Sequence, residues 1–403
     1  MARQRRALVI GGSMSGLLAA LMLVRRGWQV DVFERVESEL SGRGAGIVAQ
    51  AELIARLDAI GLDTRDLGVL ARTRKLLDID GRVTLTLECP QVLTAWERVY
   101  RVLRDAFAAE HYHRGRGLKE FEQSKTGIVT NFSDGGSAEG DVLVGADGLR
   151  STVRAQCLPE VKPLYAGYCA WRALLPESAI PAAIHRELFE SMTFTLPPGE
   201  QCLFYPVAGP NGDLRPGHRR CNVVWYRPAD EARELPWLLT DDSGVAHSIS
   251  IPPPLIRHEA IARMRAAAER LLPPQFRDIV HLIDEPILQP IYDLQSPRLA
   301  FGRVAIVGDA AFVARPHVAA GVSKAADDAA ALAAALDGDD VASALIRFET
   351  KRLPEGNKII ERARHLGAYL QATQSAEERV RSARHAIPQA VLAETAMLDF
   401  LYA

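Results

Sequence analysis

The chain has 403 residues, of which 48 are lysine or arginine and 50 are aspartate or glutamate, so its formal net charge is -2. This balance gives no general attraction to nucleic acid or to an anionic membrane, and the length suffices for a substantial core. The five cysteines show no spacing typical of a metal or redox site, which predicts reduced thiols, no metal and a cytoplasmic protein.

The first residues predict neither a signal peptide nor a membrane span. Basic residues precede a short apolar run, but Gly11, Gly12 and Ser13 interrupt that run. The apolar stretch at residues 17–24 is far shorter than the roughly 20 residues that a membrane-spanning helix needs. We therefore expect a protein that acts on small molecules in solution.

The first predicted elements form a βαβ unit. A strand at residues 7–10 leads into the glycine-rich turn of residues 11–16, a helix follows, and residues 30–33 form a second strand. Such a turn binds a dinucleotide by presenting helix-terminal amides to the pyrophosphate. Ser13 replaces the middle glycine of the usual fingerprint, and Glu34 would bind the adenosine ribose. The alternative is a structural turn with a solvated Glu34.

Two later aspartates follow predicted strands in the same way. Residues 142–144 lead into Gly145-Ala146-Asp147-Gly148, and residues 304–307 lead into Gly308-Asp309-Ala310-Ala311. Taken singly, each aspartate is more often a plain helix N-cap. Because three such turns occur in this order, we interpret them together as the binding site of one large cofactor, FAD.

Between the second and third turns, short runs at residues 168–175, 202–207 and 221–226 predict antiparallel strands. Helical spacing follows at residues 261–272, 327–336 and 342–360, and the helical tail at 376–403 is expected to pack on the body or on a partner subunit. The predicted fold class is α/β, with a Rossmann-like FAD-binding domain that has a parallel sheet, a mostly antiparallel β-sheet substrate domain, and C-terminal helices. The predicted boundaries are 1–72, 95–165 and 292–370 for the FAD-binding domain, 73–94 (a β-hairpin) and 166–291 for the substrate domain, and 371–403 for the tail.

The ordered turns, with Arg154 after the second and Pro316 after the third, resemble those of the single-component flavoprotein aromatic hydroxylases of the para-hydroxybenzoate hydroxylase type. The resemblance spans about residues 7–350. A closer likeness to the pyridine-hydroxylating branch of the family lies in residues 40–42 with 46–48, 165–168 with 171–172, and 315–317 with 319–321.

This resemblance implies how the chain would hold FAD. The ADP half would lie on the first turn and Glu34, Asp147 would serve the pyrophosphate and the nicotinamide donor, and Asp309 would hold the ribityl chain. The cofactor-binding candidates are Gly11, Ser13, Met14, Ser15, Gly16, Glu34, Arg35, Arg43, Gln50, Arg98, Asp147, Gly148, Gly308, Asp309, Pro316, Ala319, Ala320 and Gly321. Arg43 and Arg98 could equally be solvated charges, and Gln50 a loop residue. Two departures from the family pattern, Phe312 for a histidine and Ala319 for a glycine, fall near the expected flavin ring.

Hydroxylation of an aromatic ring with dioxygen needs cofactor chemistry that side chains lack. The resemblance implies non-covalent FAD reduced by NADH or NADPH, with oxygen transferred from a flavin C4a-hydroperoxide to an electron-rich ring such as a hydroxypyridine or phenol. The site must then be dry, and its expected walls are Tyr168, Trp171, Phe204, Tyr205, Val224 and Tyr226.

The candidate catalytic residues are His317, Pro316, Tyr205 and Arg172. His317 would orient or deprotonate the substrate, or serve only as a structural hydrogen-bonding group. Arg172 would bind an anionic substrate or brace the sheet. Two other functions stay open at this point, a flavin dehydrogenase or oxidase and a non-catalytic flavin-binding ligand sensor. The expected partners are a small aromatic substrate, dioxygen and NAD(P)H, with no nucleic acid and no membrane, and a homodimer is one candidate assembly.

Overall fold

The structure is a computed structural model, which describes residues 4–40, 44, 46–338 and 340–401. Its strands are, in chain order, β1 (Arg6–Ile10), β2 (Gln29–Glu34), β3 (Gly46–Ala49), β4 (Val69–Leu77), β5 (Val83–Ala95), β6 (Tyr112–Arg114), β7 (Leu118–Gln123), β8 (Ile128–Phe132), β9 (Ser137–Gly140), β10 (Val142–Gly145), β11 (Leu164–Pro176), β12 (Met192–Thr195), β13 (Gln201–Val207), β14 (Arg220–Pro228), β15 (Ile287–Gln295), β16 (Ala300–Phe301), β17 (Val304–Ile306) and β18 (Phe312–Val313).

The α-helices are, in chain order, α1 (Met14–Val24), α2 (Ala51–Ala59), α3 (Trp96–Ala106), α4 (Thr152–Cys157), α5 (Ala182–Leu188), α6 (Glu234–Leu238), α7 (His258–Leu271), α8 (Pro274–His281), α9 (Gly321–Ala335), α10 (Val341–Gly367), α11 (Ala376–His385) and α12 (Pro388–Glu394).

One sheet carries the three predicted turns. Its strand order is β16-β17-β10-β1-β2-β6, and β1, β2, β10 and β17 run parallel. The central strands are apolar and buried, as expected for a parallel sheet covered on both faces. Helices α1, α9 and α10 pack side by side, and the small antiparallel sheet β7 to β9 adds Phe121, Ile128 and Phe132 to the same core. Because parallel strands share a direction, the turns after β1, β10 and β17 lie at one edge of the sheet.

The second sheet is mostly antiparallel, in the order β18-β15-β11-β14-β13-β12-β4-β5-β3. The hairpin of β4 and β5 joins it through a parallel pairing of β4 with β12. Its two faces follow the alternation of each strand. One face packs against α7 and α8, where Phe204 lies 4.9 Å from Phe276 between ring centres, and the other face meets the first sheet's turns.

This alternation corrects the expected wall of the site. Tyr205, Val224 and Tyr226 lie on the face toward the turns, whereas Trp171 and Phe204 lie on the opposite face under α7 and α8. Adjacent residues of a strand point to opposite faces, so Trp171 cannot share a wall with Arg172.

The tail folds as α11 and α12 and packs on the chain's own second sheet through Val391 and Leu392. All five cysteines are free. Within the described ranges, no helix is long and apolar enough to cross a bilayer. In the same ranges, no cluster of three or more histidine, cysteine or carboxylate side chains could hold a metal ion.

Candidate active site

The three turns pack directly against one another. Gly11 has φ +103, and a Cβ on it would lie 2.4 Å from the carbonyl oxygen of Ala146 in the second turn. Gly308 has φ +59, and a Cβ on it would lie 2.2 Å from Oγ of Ser15 in the first turn. Both positions require glycine for conformation and for space. The convergence of the turns is therefore built into the backbone.

Buried charged residues brace the turns. Arg154 donates from Nη1 to the carbonyl oxygen of Ala310 at 2.8 Å, which ties the second turn to the third. Asp328 of α9 accepts from the amide of Gly308 at 3.0 Å, and Arg352 of α10 donates to Asp328 at 2.7 Å. Asp328 and Arg352 were not among the predicted residues, because nothing in the sequence places them beside Gly308.

A cavity of about 260 Å³ lies between the first and second turns. The predicted residues Gly11, Ser13, Glu34, Arg35, Asp147 and Gly148 line it. Glu34 accepts from the amides of Gly12 at 2.8 Å and of Val36 at 2.9 Å, so its carboxylate is held at the cavity wall.

The N-terminus of α1 fits a pyrophosphate. Ser13 makes no side-chain capping bond, and the first turn of α1 contains no acidic residue. The amides of Met14, Ser15 and Gly16 therefore have no partner within the helix, and the helix dipole adds positive potential there. The residues present fit the diphosphate of FAD at this point.

Asp147 has a local partner set. Its carboxylate accepts from Oγ of Ser151 at 2.5 Å and from the amides of Thr152 at 2.6 Å and Val153 at 3.2 Å, at the start of α4. Burial raises the pKa of Asp147, while these hydrogen bonds oppose the shift. Ser151, and not Asp147, is the N-cap of α4. Asp147 supports the start of the helix by accepting from its first two amides, and it also lines the cavity.

A second cavity of about 300 Å³, which we call the chamber, separates the second sheet from the loop after the third turn. Predicted residues that line it are Arg172, Tyr205, Asp309, Pro316, His317, Ala319, Ala320 and Gly321. The Asp309 side chain is 56% exposed, and the buried ammonium of Lys324 lies 3.6 Å from its carboxylate. Lys324 also donates to the carbonyl oxygen of Phe312 at 2.6 Å, so it fixes the loop beside Asp309.

His317 is buried and neutral. Its Nε2 hydrogen-bonds the phenol of Tyr168 at 2.9 Å, and its ring centre lies 4.4 Å from that of Tyr226. Burial, with the positive charge of Arg315 as a smaller cause, lowers the pKa of His317 to about 3. A group with this pKa is a poor proton acceptor near neutral pH, so the geometry favours orientation over deprotonation.

Arg172 provides a positive charge in the chamber. It donates from Nη1 to Oε1 of Gln289 at 2.9 Å and from Nη2 to the carbonyl oxygen of Gly46 at 3.2 Å. No carboxylate of the described residues pairs with it. Burial raises the pKa of the neighbouring Tyr205 to about 12, although Arg172 opposes the shift, so this phenol stays protonated.

Two predicted residues are placed outside the cavity linings, and a third is not among the described residues. Arg98 donates to the carbonyl oxygen of Asp66 at 3.0 Å and lines neither cavity. Gln50 lies beside the chamber, but its amide donates to the carbonyl oxygen of Ala396 at 2.9 Å. Arg43, like residues 41–42 of the predicted motif, lies outside the described residues.

The family departures have different consequences. Phe312 is buried away from the chamber, and a Cβ on Gly356 of α10 would lie 2.3 Å from its ring. Ala319 lines the chamber in a left-handed conformation, φ 49 and ψ 30. Thr395 and Ala396, from the tail, form part of the chamber wall and were not predicted. The tail's helical spacing gave no signal for this contact.

Comparisons with known proteins show the family and the fold. Residues 4–163 match the family described as FAD binding domain, and residues 165–293 match the one described as FAD binding domain-like. The chain is 33% identical over 368 residues to 2,6-dihydroxypyridine 3-monooxygenase of Paenarthrobacter nicotinovorans, with 91% of each chain covered. It is 30% identical over 382 residues to 3-amino-4-hydroxybenzoate 2-monooxygenase of Streptomyces cremeus, over 90% of this chain and 87% of that one.

Solved structures show the same fold. The structure of 2,6-dihydroxypyridine-3-hydroxylase from Arthrobacter nicotinovorans matches with a TM-score of 0.86 and 32% identity, over 92% of this chain and 94% of that one. HpxO of Klebsiella pneumoniae, solved with FAD and uric acid, matches in fold with a TM-score of 0.74 and 21% identity over 97% of each chain.

The chain therefore belongs to the FAD-dependent aromatic monooxygenases. It is a flavoprotein hydroxylase with FAD as cofactor, which confirms the predicted class and fold. Both curated relatives are monooxygenases, which disfavours the dehydrogenase and ligand-sensor alternatives.

Proposed function

We propose that this enzyme hydroxylates a planar ring that already carries hydroxyl groups, a hydroxypyridine before a phenol, with NADH or NADPH as electron donor. The observation that carries the proposal is the chamber, which places the cation Arg172 and the phenol of Tyr205 opposite the loop with Pro316. Hydroxypyridine is preferred because the relative with 33% identity is named for a dihydroxypyridine.

FAD supplies the dioxygen-activating chemistry, and the chain positions it. In this proposal the free amides of Met14, Ser15 and Gly16 bind the diphosphate. Glu34 and Arg35 lie at the ribose end, because both line the first cavity. Asp309, the one carboxylate in the described lining of the chamber, accepts from the hydroxyls of the sugar chain. The backbone of residues 316–321 borders the flavin ring.

The second sheet closes the chamber against water. Val224 and Tyr226 present buried apolar surface to it, and a dry site is what oxygen transfer requires. Arg172 attracts the ionised hydroxyl of the substrate, and an ionised ring is more nucleophilic. Neutral His317 orients the ring through hydrogen bonding rather than by removing a proton.

The test uses the purified protein loaded with FAD. Hydroxylated pyridines and phenols are screened for stimulation of NADH and NADPH oxidation, and products are checked for mass raised by one oxygen. His317→Asn should slow hydroxylation more than it slows flavin reduction, because His317 lines the chamber in which we place the substrate ring. Equal slowing of both half-reactions, or none, would remove His317 from the proposed site.

We further propose a cytoplasmic location, since all five cysteines are free thiols. Stable disulfides in the native protein would contradict it. A homodimer stays a prediction, for which light scattering of the FAD-loaded protein is the direct test.

A further inference from the structure

We infer that Gln201 and Arg172 are two recognition points for oxygen substituents, so that the chamber selects a ring oxygenated at two positions. This inference rests on the proposed function and deepens it, because it names the substitution pattern that the site recognises.

Gln201 of β13 lies in the chamber wall with its side-chain amide held in one orientation. Its side chain is 1% exposed and lines the chamber, and its Oε1 accepts the phenol hydrogen of Tyr369 at 2.9 Å. Burial raises the pKa of Tyr369, so the phenol stays protonated and donates. This bond fixes the amide orientation, and Nε2 then has no hydrogen-bond partner in the described parts of the chain.

Arg172 of β11 presents the second donor. Its two Nη atoms are bound to Gln289 and Gly46, while Nε has no partner within the described ranges. Buried donors in folded proteins are nearly always satisfied. Gln201 and Arg172 line one cavity together with His317, whose Nδ1 also has no partner in the described ranges. A ligand with two acceptors would satisfy the two donors of the sheet, Nε2 of Gln201 and Nε of Arg172, at once.

Strand register sets the separation of the two points. Arg172 pairs with Val224 and Gln201 pairs with Tyr226, so β14 lies between the two donors. With strands spaced by about 4.8 Å and the two pairings two residues apart along β14, the backbones of Arg172 and Gln201 lie roughly 12 Å apart at these positions. Val224 and Tyr226 form the floor between them, on which a single ring can lie with one oxygen toward each side. An anionic oxygen is drawn to the cation Arg172, and a hydroxyl or carbonyl oxygen accepts from Gln201.

The test is equilibrium binding to the FAD-loaded enzyme without NAD(P)H, followed by the change in flavin absorbance. The probes are 2,6-dihydroxypyridine, which has two oxygens, and 2-hydroxypyridine, which has one. Gln201→Leu should raise the Kd for the dihydroxy probe by about 5- to 100-fold, and that for the monohydroxy probe by less than about twofold.

Two further variants keep the result interpretable. Gln275→Leu is the matched control, because Gln275 lies on α8, donates to Gly81 at 2.9 Å and does not line the chamber, so both Kd values should stay unchanged. Gln201→Glu keeps the shape and the acceptor for Tyr369 but replaces the amide donor with a carboxylate oxygen. It should raise the Kd for the dihydroxy probe at least as much as Gln201→Leu does.

The inference would be overturned if Gln201→Leu and Gln201→Glu each raised the Kd of the dihydroxy probe by the same factor as that of the monohydroxy probe. It would also be overturned if neither variant changed either Kd. The proposed function would survive that outcome if the wild type still hydroxylates a hydroxypyridine or phenol. Conversely, a wild type that binds the probes selectively but adds oxygen to no ring would overturn the proposed function and leave the recognition points intact.

Discussion

Ala319 is a residue held in a backbone conformation that suits glycine better, with φ 49 in the loop beside the chamber. A side chain in this region costs about 1–2 kcal/mol, whereas glycine loses about 0.5–1 kcal/mol in chain entropy. We expect Ala319→Gly to raise the free energy of unfolding by up to about 1 kcal/mol, measured by urea unfolding. Ala334→Gly, at an exposed position of α9, should lower it by about 1 kcal/mol. If Ala319→Gly lost as much stability as the control, the backbone at Ala319 would not be strained.

His317 should make folding sensitive to acid. Its pKa is about 3 in the folded chain against an ordinary value of 6.5, so between these values the unfolded chain binds a proton that the folded chain does not. Stability contributed by the neutral ring is therefore lost as the pH falls from about 6.5 toward 3, at up to about 1.4 kcal/mol per pH unit. His317→Gln should flatten this part of the profile of urea midpoint against pH. Parallel profiles for the two proteins would show that His317 titrates normally.

The place of a residue in the site was predictable from the sequence where the residue directly follows the end of a strand. Asp309 and the glycines of the turns were found because each follows a strand end. Gln201, Lys324 and Asp328 were not found, because their roles depend on neighbours distant in sequence. The pKa of His317 was equally hidden, since it reflects burial and Arg315.

At the scale of elements, the strands and helices around both sheets follow from hydrophobic pattern, but the face on which each side chain lies was predicted less well. Trp171 and Phe204 were placed on the chamber wall with Tyr205, although Phe204 and Tyr205 are adjacent in β13. Strict alternation along the strand would have separated them from the sequence alone. Which of the two faces meets the turns could not be predicted, because it depends on where α7 and α8 pack.

The C-terminal tail should control how well the chamber excludes water. The carbonyl oxygen of Ala396 accepts from the side-chain amides of Gln50 and Gln91, each at 2.9 Å. The backbone amide of Ala396 donates to the carbonyl oxygen of His317 at 2.7 Å. The double change Gln50→Leu and Gln91→Leu should loosen this contact and admit water. We expect a larger fraction of consumed NAD(P)H to end as hydrogen peroxide, measured with and without catalase.

The matched control for the tail is Gln389→Leu, because Gln389 is exposed on α12 and bonds nothing in the chamber wall. It should leave the ratio of product to NAD(P)H unchanged. Unchanged coupling in the double variant as well would mean that the tail contact does not seal the chamber.

At the scale of the whole molecule, three turns that lie far apart in the chain meet at one sheet edge, and we propose that FAD binding depends on all three. Gly308→Ala tests this meeting, because its new Cβ would lie 2.2 Å from Ser15. Gly199→Ala is a matched control, since Gly199 has a similar φ of +69 with no atom within 4 Å of the added Cβ. The control should lose about 1–2 kcal/mol of stability. Gly308→Ala should lose more and should also bind FAD more weakly, measured by flavin retained per chain; equal behaviour of the two variants would argue against the convergence.

The overall architecture was largely predictable, because local strand and turn signals repeat in an order that one cofactor explains. The parallel pairing of β4 with β12 was not, since it joins the hairpin to a strand more than 100 residues later in the chain. The part of the chamber wall that the tail supplies was also missed, because it depends on contacts between residues far apart in the chain.

The most direct measurement is mass spectrometry of the product formed from 2,6-dihydroxypyridine under isotopically labelled dioxygen with NADH or NADPH. We predict that the product gains one labelled oxygen atom and that its formation requires both FAD and the nicotinamide donor. A product without label, or oxidation of hydroxylated rings that proceeds without a nicotinamide donor, would contradict a monooxygenase that acts in this chamber.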